Sequence, residues 1–218
     1  MNVLDNFKLI NAKVKNLCAS NNYTEPTIIV VSKTFDINYI LPILNYGHKH
    51  FGENKVQESK LKWTSIIRKD FGIKLHMVGN LQSNKAAEAV NIFNYIHSLD
   101  NEKLACKLSL AEKNYNKKLE YFIQVNLSYE PQKSGISEDD CLKFLMFCTN
   151  ELNLNIIGLM CLPKAEEDPE INFQKLKKLS NNLKLRELSM GMSHDFEKAI
   201  QYGSSYIRIG SAILGERN

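Results

Sequence analysis

The stretch Thr27-Ile28-Ile29-Val30-Val31-Ser32-Lys33-Thr34 decides how the rest of the chain is read. A β-branched run without a polar break reads as a strand buried on both faces, as in a parallel sheet. A lysine stands where the run stops. The carboxyl edge of such a strand is where α/β folds place their chemistry. A lysine sheltered there loses its charge readily and becomes a nucleophile able to form a Schiff base. The ordinary alternative is a loop lysine in solvent, since lysines are rarely fully buried. The surrounding chain has to decide between them.

Upstream, residues 1–21 read as an amphipathic helix with Val3, Leu4, Phe7, Ile10 and Val14 on one stripe, ended by Asn21-Asn22. Downstream, Ile37, Ile40, Leu41 and Leu44 keep helical spacing as far as Gly47, a C-cap. The alternation then recurs. Strands are expected at 48–51, 74–78, 93–99, 119–125, 154–160, 187–190 and 206–209, with helical material after each. With the first strand this makes eight βα units and no hairpin spacing, which predicts a single closed (β/α)8 TIM-type barrel rather than an open sheet.

At 218 residues, 44% hydrophobic and 24% charged, the chain suits one large core and is short for two, so one domain over 1–218 is expected. No GxGxxG follows the first strand and no GxxxxGK[ST] occurs, which removes the main support for dinucleotide and P-loop readings. The net charge of +4 is spread along the chain. Its densest cluster, Lys175, Lys177, Lys178, Lys184 and Arg186, has no aromatic platform, so no nucleic-acid partner is expected. The cysteines Cys18, Cys106, Cys141, Cys148 and Cys161 form no CxxC and no Cys/His metal spacing, pointing to reduced thiols. The amino terminus lacks a signal-peptide pattern and no segment has membrane-spanning length; a cytoplasmic location without a membrane partner is the expectation.

A closed barrel predicts a phosphate site after strands seven and eight, at the start of a short extra helix. Suitable parts stand there. In Ser189-Met190-Gly191-Met192-Ser193-His194-Asp195, Gly191 admits close backbone approach and Ser193 can cap and donate. In Arg208-Ile209-Gly210-Ser211-Ala212-Ile213, Gly210 and Ser211 open the last helix with free N–H groups. Either turn alone is an ordinary helix cap; two on neighbouring strands point to one anion cup. Asn54, Asn80, Gln82, Asn84, Lys85 and Asn126 also fall at strand ends, as a polar mouth or simply as polar loops. His76 reads as a core histidine, His48 and His50 alternate along the second strand without a third metal ligand, and His97 and His194 are isolated. No metal site, Ser/His/Asp triad or carboxylate pair emerges.

Taken together, Val31-Ser32-Lys33-Thr34, Phe51-Gly52-Glu53-Asn54-Lys55-Val56-Gln57-Glu58, Gly79-Asn80-Leu81-Gln82-Ser83-Asn84-Lys85, Val125-Asn126 with Lys133-Ser134-Gly135, Gly158-Leu159-Met160, Leu188 to Phe196 and Arg208-Ile209-Gly210 closely resemble the pyridoxal 5′-phosphate (PLP) homeostasis proteins. The resemblance runs from about residue 27 to the end. It implies a fold-type-III barrel like the amino-terminal domain of alanine racemase, carrying PLP as a Schiff base, with a role in vitamin B6 and amino-acid balance and no established reaction. By position, Lys33 matches the Schiff-base lysine. Ser193, Gly210 and Ser211 match the phosphate contacts, with Gly191 and Met192 shaping the same cup. Arg208 matches the arginine beside the pyridine nitrogen, and Asn54 a pocket-lining residue. Asn80 and Lys55 depart from the common family pattern, both at the rim.

The resemblance therefore implies a PLP-holding protein without a catalytic residue set. Its partners would be PLP and apo-enzymes that receive it; a monomer is expected on separate grounds, since one domain leaves no second domain to supply a dimer interface. Two other readings use the same lysine. One is an amino-acid racemase taking its second base from Lys85 or Lys133. The other is a cofactor-free Schiff-base aldolase in which Lys33 attacks a sugar phosphate.

Overall fold

The run from Thr27 to Val31 forms β1, the first of eight parallel strands that close on themselves. The computed structural model describes residues 2–67, 72–127, 134–164 and 167–216. After helix α1 (Val3–Asn21), strands and helices alternate: β1, α2 (Ile37–Asn45), β2 (His50–Glu53), α3 (Val56–Ile67), β3 (Lys74–Met77), α4 (Ala86–Ile92), β4 (Tyr95–Leu99) and α5 (Glu102–Tyr115). Then follow β5 (Glu120–Gln124), α6 (Cys141–Met146), β6 (Asn155–Met160), α7 (Pro169–Asn182), β7 (Glu187–Ser189), α8 (Phe196–Gln201), β8 (Tyr206–Ile209) and α9 (Ser211–Leu214). Each strand pairs with the next, and β1 pairs with β8 through Thr27 opposite Tyr206 and Ile29 opposite Arg208. The expected barrel is the observed one.

Local chemistry sets the helix ends. Asn2, Asp36, Asn101 and Asp168 accept backbone N–H bonds in the first turns of α1, α2, α5 and α7, each worth about 1 kcal/mol. Asn22 and Asn116 close α1 and α5 in the left-handed conformation that suits asparagine. The second strand starts two residues later than its sequence suggests. His48 belongs to the turn after α2, where its N–H meets Ile43 O and its ring packs on Phe7 of α1. The helical material after β5 is a short α6 that widens into a π-helical turn over Phe147–Glu151.

The main core lies between the strands' outer faces and the helices, with Ile28, Val30, Phe51, Trp63, Leu75, Ile96 and Phe173 among its members. Helix α1 packs on α2, α8 and α9. Asn6 Nδ2 donates to Ile213 O at 3.0 Å, so α1 holds the final short helix from below. Inside the barrel the filling differs. Tyr95, Phe122 and Met160 share that space with His76 and His97. Among the described residues, no helix is long and apolar enough to cross a membrane.

Candidate functional site

The carboxyl ends of the strands surround a cavity of about 950 Å³. Lys33 enters it from the end of β1, half-buried, on a tight turn. Ser32 O accepts the N–H of Phe35 (3.2 Å), and Thr34 holds φ at 70°, a conformation that disfavours a β-branched residue. A buried network holds the residue before the lysine. Ser32 Oγ, Lys62 Nζ and Trp63 Nε1 all donate to Glu53 Oε1, at 2.7, 2.9 and 3.0 Å. Lys62 also donates to Ser32 O at 2.7 Å. Glu53 and Trp63 are fully buried, and the Lys62 side chain is 7% exposed. The backbone carrying Lys33 is thus pinned through a charged pair.

Next to β1, which pairs with β8, the turns after β7 and β8 meet. Gly191 has φ 91°, and a Cβ there would lie 2.6 Å from Ala199 Cβ and 3.0 Å from Phe196 Cα, so only glycine fits. Its carbonyl accepts the N–H of Arg208 at 2.9 Å, which ties the two turns together. The N–H groups of Gly210 and Ala212 both point at Ser193 Oγ, at 3.3 and 3.2 Å. Three potential donors therefore converge on one spot, bound loosely enough to be yielded to an anion.

Arg208 lies between this cup and the barrel interior. It is 4% exposed, and it donates from Nη1 to Ser189 Oγ (2.6 Å) and from Nη2 to Cys161 O (3.0 Å). Both acceptors are neutral, and burial lowers the pKa of the guanidinium. Among the described residues lining the cavity the only acid is Glu216, against the cations Lys33 and Arg208. Arg208 donates to no carboxylate among these bonds and Asp195 acts on it only through space, so the buried cation favours negative charge in the cavity. Asn54 Oδ1 is also buried there without a partner. Gly79 lets that residue in, since a Cβ would lie 2.6 Å from Asn54 O.

The family model for the N-terminal domain of alanine racemase matches residues 9–218. The pyridoxal phosphate homeostasis protein of Haemophilus influenzae is 34% identical over all of this chain and 97% of its own length. That of Aquifex aeolicus is 35% identical over all of this chain and 99% of its own. The chain belongs to the pyridoxal phosphate homeostasis protein family. Its barrel also superposes on PipY of Synechococcus elongatus, a structure solved with PLP bound, with a TM-score of 0.87 and 27% identity over 98% of this chain and 100% of that one.

Within this family member, Lys33, Asn54, Met192, Ser193, Arg208, Gly210 and Ser211 all line the one cavity, and Gly191 is buried behind it. The polar mouth divides. Asn80 and Asn126 face the cavity, whereas Gln82 and Lys85 line a neighbouring groove and Asn84 a further depression. Lys85 pairs with Glu88 at 3.0 Å. Asn80 Nδ2, one of the departures from the family pattern, reaches Ser134 Oγ at 3.2 Å, while Lys55, the other, is exposed. Lys133 lies outside the described residues. Neither His97 nor His48 fits its sequence reading. His97 is hydrogen-bonded on both ring nitrogens, and His48 packs outside the barrel on Phe7, with its Nε2 2.9 Å from His50 O. Sequence reasoning passed over Glu53, Lys62 and Trp63. The available signal was an acid inside a strand with a lysine nine residues on, at which spacing alone is mute.

Proposed function

We propose that this protein holds PLP in the cavity as a Schiff base on Lys33 and serves vitamin B6 and amino-acid homeostasis without catalytic turnover. The observation that carries the reading is the shared cavity: a lysine at the end of β1, an anion cup in the turns after β7 and β8, and a buried arginine that donates to neutral acceptors. When bound, PLP supplies an electrophilic aldehyde and a ring that can accept electrons. Lys33 would hold the group by its amine, reversibly, through that aldehyde. Ser193, with the N–H groups of Gly210 and Ala212 and the hydroxyl of Ser211, receives the phosphate, and Gly191 and Met192 shape that cup. Asn54 Oδ1 accepts a donor of the ligand. Arg208 offers only N–H donors to the ring nitrogen, so that nitrogen stays unprotonated and the ring is a poor electron sink.

The same proposal extends to residues 1–218 acting as one cytoplasmic, monomeric unit that passes PLP to apo-enzymes. The racemase alternative needs a second base in the cavity, and Lys85 lies outside it. The test is an absorbance spectrum with PLP, then borohydride reduction and peptide mapping. A reducible chromophore trapped on Lys33 and lost in Lys33→Ala is expected; trapping on surface lysines alone would refute the site. Solvent deuterium appearing at Cα of any of a panel of amino acids would refute the absence of turnover.

A further inference from the structure

A chain of ring nitrogens climbs through the barrel interior from its amino end to Arg208. His50 Nδ1 lies 3.0 Å from His76 Nε2, His76 Nδ1 lies 2.9 Å from His97 Nε2, and His97 Nδ1 lies 2.8 Å from Ser189 Oγ. Ser189 Oγ in turn accepts Arg208 Nη1 at 2.6 Å. His76, His97 and Ser189 are fully buried. The rings are also clamped: His76 stacks on Tyr95 at 4.2 Å and His97 on Phe122 at 4.3 Å.

One end of this chain determines every proton in it. A guanidinium has only donors, so Ser189 Oγ must accept from Arg208. The single serine proton then has one acceptor within reach, His97 Nδ1; were His97 to donate instead, that buried hydroxyl proton would have none. His97, accepting at Nδ1, carries its hydrogen on Nε2 and donates it to His76 Nδ1. His76 likewise donates from Nε2 to His50 Nδ1, which leaves the His50 hydrogen on Nε2. The logic requires three neutral rings. Burial, the chief cause, depresses all three, helped at His97 by Arg208, at His76 by the other histidines and Lys74, and at His50 by Lys74 and Lys49.

We propose that His50, His76, His97 and Ser189 are positioning residues that form one polarised hydrogen-bond chain, fixing Ser189 as the acceptor that holds Arg208 at the floor of the cofactor cavity. The role of Arg208 toward PLP rests on the reading above; the chain itself does not. A carboxylate in place of Ser189 would hold the guanidinium more strongly, but it would supply the negative charge that the cavity reserves for a ligand.

Long-range ¹H–¹⁵N correlation spectra of the PLP-free protein at pH 7.5 test this directly. All three histidines are expected as neutral Nε2–H tautomers, and an Nδ1–H or charged form at any of them would overturn the chain. In Ser189→Ala the resonances of His76 are expected to become a tautomer mixture although that ring does not touch position 189. Ser189→Thr, which keeps the hydroxyl, should restore the single form. Unchanged His76 resonances in Ser189→Ala would overturn the polarisation. The PLP dissociation constant of Ser189→Ala should rise at least tenfold, and an unchanged value would overturn the link to the cofactor. Unmodified protein that shows the tautomers but binds no PLP would sink the cofactor reading and leave the chain standing. The spectra of the unmodified protein decide the chain even if Ser189→Ala does not fold.

Discussion

Glu53→Gln probes whether Lys33 is held by a charge buried behind it. The glutamate accepts three hydrogen bonds on Oε1 while Oε2 has no partner, and both it and Lys62 are almost wholly out of solvent. Removing one partner of a buried ion pair costs about 3–5 kcal/mol, because the other charge is left uncompensated. Here Lys62 keeps Ser32 O at 2.7 Å and Glu58 Oε1 at 3.5 Å, so the lower end applies, about 3 kcal/mol. The amide cannot recover the difference. With its oxygen in the Oε1 position, its NH₂ falls where Oε2 now finds nothing to bond. Urea unfolding with linear extrapolation measures the loss, with Lys62→Met and the double variant completing the cycle. The double variant should cost less than the two single variants together by about 0.5–3 kcal/mol, the range for directly coupled groups. Because Ser32 loses its anchor, borohydride trapping of PLP at Lys33 should also fall in Glu53→Gln. A loss below about 1 kcal/mol, or a cycle additive to about 0.5 kcal/mol, would show that the network is not a buried charge pair and that Lys33 is placed by its turn alone.

Three further outcomes follow from the same geometry. Gly191→Ala combines a left-handed backbone, about 1–2 kcal/mol, with a methyl forced against Ala199, about 1–3 kcal/mol; a drop under about 1 kcal/mol in urea unfolding would contradict the close packing of the two turns. Thr34→Gly relieves a φ of 70° and should leave stability unchanged or raise it by about 0.5–1 kcal/mol, and a lowered melting temperature would show that the turn carries no strain. Acid should destabilise the fold before the carboxylates titrate. Burial lowers His48 from 6.5 to about 4, so the unfolded chain binds the proton first. That stability is present above pH 6.5 and is lost as pH falls, by about 2 kcal/mol between pH 6.5 and 5. The depressed His50, His76 and His97 add to it with the same sign. Urea unfolding from pH 7.5 to 5 checks this, and a flat profile in the native protein, or an equal slope in His48→Gln, would rule it out for this residue.

Much of the fold was legible because its signals are local. The β-branched run of β1, the glycine after α2 and the asparagines closing α1 each act within a few residues. So do the two turns of the anion cup, whose glycines and serine answer to backbone geometry. Boundaries failed where a tertiary contact overrode a local pattern. His48 alternates properly with His50 for a strand, yet it leaves the barrel because Phe7 of α1 offers its ring a place outside. The interior networks were illegible for a different reason. His50, His76 and His97 come from three strands, and only the barrel's register makes neighbours of Gly52 and His76, and of His76 and Tyr95.

Under the proposed reading, in which the barrel holds its cofactor without turnover, the two hidden networks supply a physical reason. Lys33 is supported from outside the barrel by a charged cluster, Glu53 with Lys62, and Arg208 from inside by a chain that the structure leaves neutral. Charge is thus placed where it cannot reach the ligand's ring and withheld where it could. The arginine keeps its net positive charge for the cavity, which favours an anionic ligand and disfavours a protonated ring nitrogen. Both supports lie behind the residues they hold, Glu53 with Lys62 behind Ser32 and the histidines behind Ser189. Much of the cavity's polar lining consists of the amides of Asn54, Asn80, Gln124 and Asn126, which bond without exchanging protons.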